Sequence, residues 1–155
     1  CADVTLIFAR GSTELGNMGE TVGPALAKQL ISDLGADKVA IQGVDYPATI
    51  ESNISLGSEG GPTMAQLAEK ALKQCPNTKI ALGGYSQGAM VAHFAVAQGG
   101  LSASDVSSAV LYGDPEDGSS VGDLPSSRLK EFCATGDGVC ETHSFDITAA
   151  HLSYA

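Results

Sequence analysis

Positive charge is scarce in this sequence. Its 155 residues include eight Lys and Arg against 18 Asp and Glu, a formal net charge of -10. Nucleic acid and anionic membrane surfaces are therefore not expected as partners, because both attract clusters of positive charge. No apolar run approaches the length of a membrane span, and no internal repeat or low-complexity segment is present. The 43% hydrophobic content suits one globular domain over residues 1–155.

The four cysteines lack the paired C-x-x-C spacing of a zinc site or a redox motif. They are Cys1, Cys75, Cys133 and Cys140. An even number, with one at the first residue and no initiator Met, predicts a processed, secreted protein with two disulfides. Three connectivities are possible for four cysteines, and the short spacing favours pairing Cys133 with Cys140. Free buried thiols are the alternative.

Short apolar runs alternate with stretches of helical periodicity. Residues 4–9 are β-branched and apolar, which is typical of a central strand buried on both faces. The same pattern predicts five strands, at residues 4–9, 38–43, 79–82, 106–112 and 129–134. Helices are predicted at 22–34, from 62 onward and at 89–98, whereas 46–61 and 113–127 are interpreted as loops. This alternation predicts an α/β fold with a mostly parallel sheet and helices on both faces.

Ser86 lies where the third strand meets the next helix, with Gly84 and Gly88 two residues to either side. This G-x-S-x-G pattern is typical of the nucleophile elbow of α/β-hydrolases. Lifting a hydroxyl clear of a sheet needs a strained turn, in which side chains at both glycines would collide with neighbouring atoms. The turn also directs the Gln87 amide, at the start of a helix, to where an oxyanion would form. A glycine-rich turn kept for packing is the alternative.

A serine hydroxyl becomes a nucleophile when a base takes its proton, and an imidazole base needs a carboxylate to fix its tautomer. Ligands of such sheets bind beyond the carboxyl ends of the strands, where Ser86 and Asp137 are both expected. His151 comes last, in an apolar segment. The chain order Ser, Asp, His is the order of α/β-hydrolases.

Both partners of the serine have competitors. Asp137 stands between two glycines, where an aspartate often serves a plain turn, and Asp114 in a Gly-Asp-Pro loop is the strongest alternative acid. His93, on the helix after the serine, is interpreted as a packing or surface residue, and His143 as a solvated loop residue. His151 is therefore the favoured base, and the choice between Asp137 and Asp114 as the acid stays open.

Several motifs resemble those of fungal cutinases, and the resemblance extends to acetylxylan esterases of the same superfamily. It runs from Cys1 to the end of the chain. The matching segments are Ala9-Arg10-Gly11-Ser12-Thr13-Glu14, Gln42-Gly43-Val44, Ala48-Thr49-Ile50-Glu51-Ser52-Asn53, Gly83-Gly84-Tyr85-Ser86-Gln87-Gly88, Cys133-Ala134-Thr135-Gly136-Asp137-Gly138-Val139-Cys140 and His151-Leu152-Ser153-Tyr154. The resemblance implies an α/β-hydrolase-type three-layer sandwich without a large lid.

The resemblance also implies roles for individual residues. Ser86, Asp137 and His151 would form a catalytic triad. The amide and hydroxyl of Ser12, together with the Gln87 amide, would form the oxyanion hole.

Further implications of the resemblance concern support and covalent links. Asn53 would support the oxyanion serine. Disulfides would join Cys1 to Cys75 and Cys133 to Cys140. The family uses no metal and no organic cofactor, so none is expected here.

Two features depart from the family pattern. Family members normally continue past the His-Leu-x-Tyr segment into a C-terminal helix packed on the sheet, whereas this sequence ends at Ala155. The segment Asp45-Tyr46-Pro47-Ala48 resembles acetylxylan esterases at least as well as cutinases. The acyl preference therefore stays open.

The resemblance predicts a secreted, monomeric serine esterase acting on cutin-type polyesters and short-chain esters. Removal of acetyl groups from plant polysaccharide is the alternative reaction. A secreted binding protein that kept the fold and lost the chemistry is a third possibility, against which the presence of every triad and oxyanion position argues. An apolar strip suits acyl chains, and a small pocket suits acetyl. Candidate wall residues are Tyr46, Ile50, Ile54, Leu56, Ile147 and Leu152.

Overall fold

The sheet confirms the α/β prediction. The structure, a computed structural model, describes residues 1–155. Its strands are β1 (Val4–Ala9), β2 (Val39–Gly43), β3 (Lys79–Tyr85), β4 (Val106–Tyr112) and β5 (Leu129–Phe132). They form one sheet in the order β2-β1-β3-β4-β5, and every neighbouring pair is parallel. The carboxyl ends of all five strands therefore lie along one edge.

Helices cover both faces of this sheet. They are α1 (Val22–Leu34), α2 (Gly61–Gln74), α3 (Gln87–Ala97) and the one-turn α4 (Gly138–Glu141). Short 3-10 turns lie at Glu51–Ser55, Ala103–Asp105, Ser126–Arg128 and Ala150–Leu152. The sequence pattern did not predict α4 or these turns, because an element of three to five residues is too short to show helical periodicity. None of the helices combines the length and the apolar character needed to cross a membrane.

Alternation along β1 divides the core into two layers. Ile7 and Ala9 pack in the cluster that contains residues of α2 and α3, whereas Leu6 and Phe8 pack with Val22 and other residues of α1. All four strand side chains are fully or almost fully buried. Because successive side chains point to opposite faces, a continuous apolar run is what a strand between two helical layers requires.

The side of the sheet that packs against α1 is covered less completely at β4 and β5. Tyr112 stacks on Phe132 with ring centroids 5.1 Å apart, and Lys130 extends over the Phe132 ring. Phe132 is nevertheless 41% exposed, and Val110 is only partly buried. No helix within the 155 residues covers this part of the sheet.

Both disulfides have the pairing that the resemblance implies. Cys1–Cys75 ties the residues before β1 to the end of α2. Cys133–Cys140 closes the segment that joins β5 to α4. That segment contains Asp137, so the second disulfide fixes the chain around a predicted site residue.

Candidate active site

Ser86 occupies the sharp turn between β3 and α3. Its φ of +58° is rare for a residue with a side chain. A Cβ on Gly88 would lie 1.9 Å from the carbonyl oxygen of Ala9, and a Cβ on Gly84 would lie 2.4 Å from the carbonyl oxygen of Gly88. Only glycine fits at either position. The Ser86 amide donates to the Tyr112 carbonyl at 2.9 Å, which anchors the turn to β4.

The structure brings Ser86, His151 and Asp137 into one hydrogen-bonded line. His151 Nε2 lies 2.9 Å from Ser86 Oγ, and His151 Nδ1 lies 2.9 Å from Asp137 Oδ2. Asp137 caps α4, with Oδ1 accepting from the Val139 amide at 3.0 Å, and is fully buried. This arrangement favours the tautomer with hydrogen on Nδ1, which leaves Nε2 free to accept the serine proton.

The structure directs Asp114 away from His151. The Gly113 that precedes it has φ +55°, and a Cβ there would lie 2.8 Å from His151 Nδ1 and 3.1 Å from Asp137 Oδ2. The backbone of Gly113 thus packs directly against the His151–Asp137 pair, and the next side chain points elsewhere. This geometry favours Asp137 over Asp114 as the acid that orients His151.

The other two histidines lie away from the serine. His93 is buried, and its Nε2 contacts the carboxylate of Asp114. His143 is exposed, and its Nδ1 donates to the carbonyl of Pro115 at 2.9 Å. Neither imidazole is hydrogen-bonded to Ser86.

The hydroxyl of Ser12 is held by two side-chain amides. Asn53 Nδ2 donates to Ser12 Oγ at 3.0 Å, and Gln87 Nε2 donates to it at 2.9 Å. Gln87 is held in turn by Ser52 Oγ, which donates to its Oε1 at 2.7 Å, and by the Thr49 carbonyl, which accepts from its Nε2. With both amides donating, the Ser12 hydroxyl hydrogen is free to donate to an oxyanion. The sequence reasoning missed the Gln87 side chain and Ser52.

The Ser12 loop is fixed from its other side by charged residues. Arg10 donates to the carbonyls of Glu14, Val44 and Tyr46. The Glu14 carboxylate accepts from the amide of Gly11 at 2.8 Å and from further amide and hydroxyl donors in the loop before α1. Each backbone group bound in this way reduces the freedom of the loop that carries the oxyanion serine.

The expectation that Tyr46 lines the cleft is wrong. Its side chain is buried, its hydroxyl donates to the Arg10 carbonyl, and the guanidinium of Arg10 lies 5.1 Å from the centre of its ring. Burial raises the pKa of the Tyr46 hydroxyl well above its ordinary value, so the group stays a donor. Tyr46 therefore packs beneath the loop that carries Ser12, because the cation–π contact with Arg10 holds its ring in the interior.

An open cleft of about 810 Å³ lies beside Ser86 and His151. The five other predicted wall residues line it, and most are strongly exposed; they are Ile50, Ile54, Leu56, Ile147 and Leu152. Phe145 adds to the apolar wall, and Glu14 and Glu20 are acidic residues of the lining. Phe145 was not predicted, because it stands alone in a polar segment without periodicity.

Two tyrosines support the His151–Asp137 pair. The Tyr85 hydroxyl donates to the His151 carbonyl at 2.6 Å, and its ring stacks on the imidazole with centroids 5.1 Å apart. The Tyr154 hydroxyl donates to Asp137 Oδ2 and accepts from the Ala134 amide at 2.9 Å. Burial raises the pKa of Tyr85 to about 12, and burial with the Asp137 contact raises the pKa of Tyr154 still further. Both phenols therefore remain hydrogen-bond donors.

We expect Ser12→Ala to lower kcat about a hundredfold with little change in KM, because its hydroxyl meets charge that exists mainly in the transition state. Asn53→Ala removes one of the two amides that hold the hydroxyl and should give a smaller loss of the same kind. The double variant should lose less than the sum of the two effects. Steady-state kinetics on a soluble ester measure all three. An effect confined to KM, or full additivity, would contradict the assignment.

We expect Tyr154→Phe to lower kcat roughly tenfold or more, since a hydrogen bond to a charged group contributes about 1.5–3 kcal/mol. KM should stay near the wild-type value, because Tyr154 acts through Asp137. Tyr112→Phe is the matched control, since it removes a hydroxyl from the same aromatic cluster. The measurement is kcat and KM of both variants on one soluble ester. Equal kcat in both would mean that Asp137 is held without Tyr154.

Comparison with known proteins finds relatives over the whole of this chain. The family model described as Cutinase matches residues 1–155. Cutinase 4 of Emericella nidulans is 53% identical over 154 residues, which are 99% of this chain and 66% of that protein. The structure of Trichoderma reesei cutinase in complex with a C11Y4 phosphonate inhibitor has TM-score 0.91 at 39% identity, covering 99% of this chain and 70% of that chain. An acetylxylan esterase structure has TM-score 0.76 at 20% identity, covering 99% of this chain and 91% of that chain, and shares the fold.

The chain spans just under two thirds of the length of the Emericella nidulans relative. The family match nevertheless extends over the whole of the present sequence, and the identity is far above what a shared fold alone produces. The chain belongs to the cutinase family.

Proposed function

We propose that the protein is a serine esterase that hydrolyses carboxylic esters through an acyl-enzyme. The observation that carries the proposal is the hydrogen-bonded line from Ser86 Oγ through His151 to the buried Asp137 carboxylate, at the side of an apolar cleft. A nucleophile, its base and the group that orients the base are thus within reach of one substrate carbonyl.

The reaction would proceed in two halves. Ser86 Oγ attacks the ester carbonyl while His151 Nε2 takes the hydroxyl proton, and the oxyanion is bound by Ser12 and the Gln87 amide. The C–O bond to the alcohol then breaks, and the alcohol leaves with the proton from His151. Water attacks the acyl-enzyme with His151 as base, which releases the carboxylic acid and restores Ser86. Groups of this chain supply each step, so the proposal includes no metal or organic cofactor.

Cutin-type polyesters are the favoured substrates. The cleft is open, and its walls carry exposed isoleucine, leucine and phenylalanine side chains that suit acyl chains at an insoluble surface. Relatives at 53% and 41% identity are named cutinases, whereas the acetylxylan esterase likeness at 20% identity concerns the fold. Acetyl removal from polysaccharide, which a small pocket would suit, is therefore the second candidate. A non-catalytic binding role would leave the ordered triad contacts without a purpose.

We also propose that the protein is secreted and acts as a monomer. Two disulfides are typical of proteins that fold in an oxidising compartment. A polyester or an acylated polysaccharide is outside the cell and too large to enter it, so its hydrolase must reach it there.

A substrate panel tests the proposal. Rates on acetyl, butyryl and long-chain esters, on a polyester film and on acetylated xylan should favour butyryl or longer chains and the film. A fluorophosphonate probe should label Ser86, as peptide mapping would show, because such probes react with activated serines. Fast turnover of acetylated xylan without release from the film would favour the second candidate. Absence of both labelling and turnover of any ester would favour a binding role.

A further inference from the structure

A second cluster of ionisable side chains lies on the opposite face of the sheet from His151. It consists of His93 on α3, Asp114 in the loop after β4, and Glu131 on β5, and we call it the His93 cluster. His151 contacts Tyr85, which packs in the α1 layer, whereas His93 belongs to α3 in the other layer. The proposed esterase chemistry uses none of these three residues.

The orientation of His93 is fixed from outside the cluster. Its Nδ1 lies 3.1 Å from the Ser120 carbonyl, to which it donates a hydrogen bond. Nε2 therefore points inward, in contact with Asp114 Oδ2 and 3.9 Å from Glu131 Oε2. An imidazole that donates one nitrogen to a backbone carbonyl and presents the other to carboxylates has the usual arrangement of a metal-binding histidine.

The two carboxylates are incompletely compensated. Asp114 is fully buried, and its Oδ1 accepts from the Glu116 amide at 2.8 Å. Both carboxylate oxygens of Glu131 are buried and, when the carboxyl is ionised, have no hydrogen-bond partner; a protonated Glu131 would donate to Asp114. Burial of a charged group is unfavourable unless an opposite charge or hydrogen bonds compensate it. The one imidazole that faces Glu131 lies 3.9 Å away and is already in contact with Asp114, so with both carboxyls ionised the cluster carries more negative than positive charge.

We propose that His93 Nε2, Asp114 and Glu131 bind one divalent cation, of the kind that takes mixed nitrogen and oxygen ligands, such as Zn²⁺ or Mn²⁺. The three ligand atoms lie within 4.8 Å of one another. Zinc binds imidazole nitrogen and carboxylate oxygen at about 2.0–2.2 Å, so the cluster needs only small side-chain movements to surround an ion. Imidazole favours zinc, and carboxylates favour manganese, which makes these two ions the suitable probes.

A proton on Glu131 is the competing way to balance the charge. Burial and the neighbouring Asp114 raise the pKa of Glu131 to about 10, so without a cation this carboxyl is protonated near neutral pH. A proton, however, gives a partner to only one of the two buried oxygens, whereas a chelated cation can be bound by both. The Glu131 side chain is 16% exposed as a whole although its carboxylate oxygens are buried, so an ion would enter through a movement of this side chain.

The cation would have a structural role. It would connect α3, which begins at Gln87, to β5, which leads to the segment that carries Asp137. The His93–Asp114 contact already joins α3 to the loop after β4, and the cation would extend this link to β5. The expected effect is on stability, and it does not depend on the proposed esterase function.

Glu131→Gln tests the proposal, because it keeps the shape of the side chain and removes a charged ligand. Glu116→Gln is the matched control, since Glu116 lies 4.0 Å from His93 Nδ1 on the side already bound to Ser120. Each protein would be treated with chelator, desalted and titrated with Zn²⁺ and then Mn²⁺ by calorimetry, with Tm recorded in parallel. Wild type and Glu116→Gln should bind one ion, and Glu131→Gln should bind it at least about tenfold more weakly.

The change in Tm on adding the ion distinguishes a bound cation from a proton on Glu131 as the group that balances the buried charge. At a hundredfold excess of ion over the wild-type Kd, the Tm of wild type should rise by roughly 5 °C, and that of Glu131→Gln by about half as much or less, because its Kd is at least about tenfold higher. An equal rise in both proteins would show that the ion binds elsewhere. Absence of stoichiometric binding of either ion by wild type near pH 7 would also overturn the proposal, and a proton on Glu131 would then balance the charge.

Discussion

Ser86→Ala should lower ester hydrolysis by about 10⁴-fold or more while leaving the fold intact. The serine supplies the oxygen that would form the acyl-enzyme, and what remains would come from substrate binding and the oxyanion hole. The free energy of unfolding should change little. Alanine and serine have about the same backbone strain at a φ of +58°, and the substitution removes one side-chain hydrogen bond, to His151. Initial rates on a soluble butyryl ester, with Tm and circular dichroism on the same samples, provide the measurement.

Fluorophosphonate labelling gives this experiment an internal control. Ser86→Ala should lose labelling, whereas Ser12→Ala should keep it at a reduced rate, since that variant retains the nucleophile and its base. If Ser86→Ala keeps more than about a hundredth of the wild-type rate, another group is the nucleophile and the proposed mechanism is wrong.

The framework of the fold could be predicted because its signals are local. The apolar run of β1 and the helical spacing of α1 gave the bounds seen in the structure, Val4–Ala9 and Val22–Leu34. β3 was predicted to end at residue 82, but it continues to Tyr85, since Gly83 and Gly84 pair with β1 and β4 on either side. Glycine has low strand propensity, and only the neighbouring strands make it a strand residue here.

The site was predictable where one motif dictates one geometry. The glycines around Ser86 identify the turn by themselves, because no other residue fits beside Ala9 and its neighbours. The choice between Asp137 and Asp114 differs, because both follow strands that end at the same edge of the sheet. Spacing along the chain cannot show which side chain points toward His151, and the packing of Gly113 against the imidazole is a three-dimensional fact.

The errors and omissions have a common cause, which is long-range contact. Tyr46 and Ile50 are both apolar residues of the same loop, yet Arg10 holds the first beneath the surface while the second lines the cleft. Tyr154 belongs to a matched motif, but its contact with Asp137 joins residues 17 apart and leaves no periodic signal. His93 was interpreted as a packing residue, and its burial agrees, whereas the two carboxylates beside it come from other elements.

Asp137→Asn should lower kcat about 10⁴-fold, with Tm changed much less than activity. The amide lacks the charge that would stabilise the imidazolium form of His151. It can also present N–H to Nδ1, which moves the imidazole hydrogen to Nε2 and prevents that nitrogen from accepting the serine proton. Size and shape are conserved, so the Val139 contact that caps α4 can persist.

Asp114→Asn is the matched control, because it makes the same change in the one other buried aspartate that follows a strand at this edge. The Asp114 carboxylate contacts His93 and lies beside Glu131, away from the triad. Asp114→Asn should therefore change Tm while kcat stays near the wild-type value. Full pH–rate profiles of both variants distinguish a lost orienting carboxylate from a general loss of folded protein, because unfolding would lower the whole profile without changing its shape. If Asp114→Asn loses the activity and Asp137→Asn keeps it, His151 is oriented by a carboxylate that the structure does not place beside it. The triad would then have to be rebuilt around Asp114.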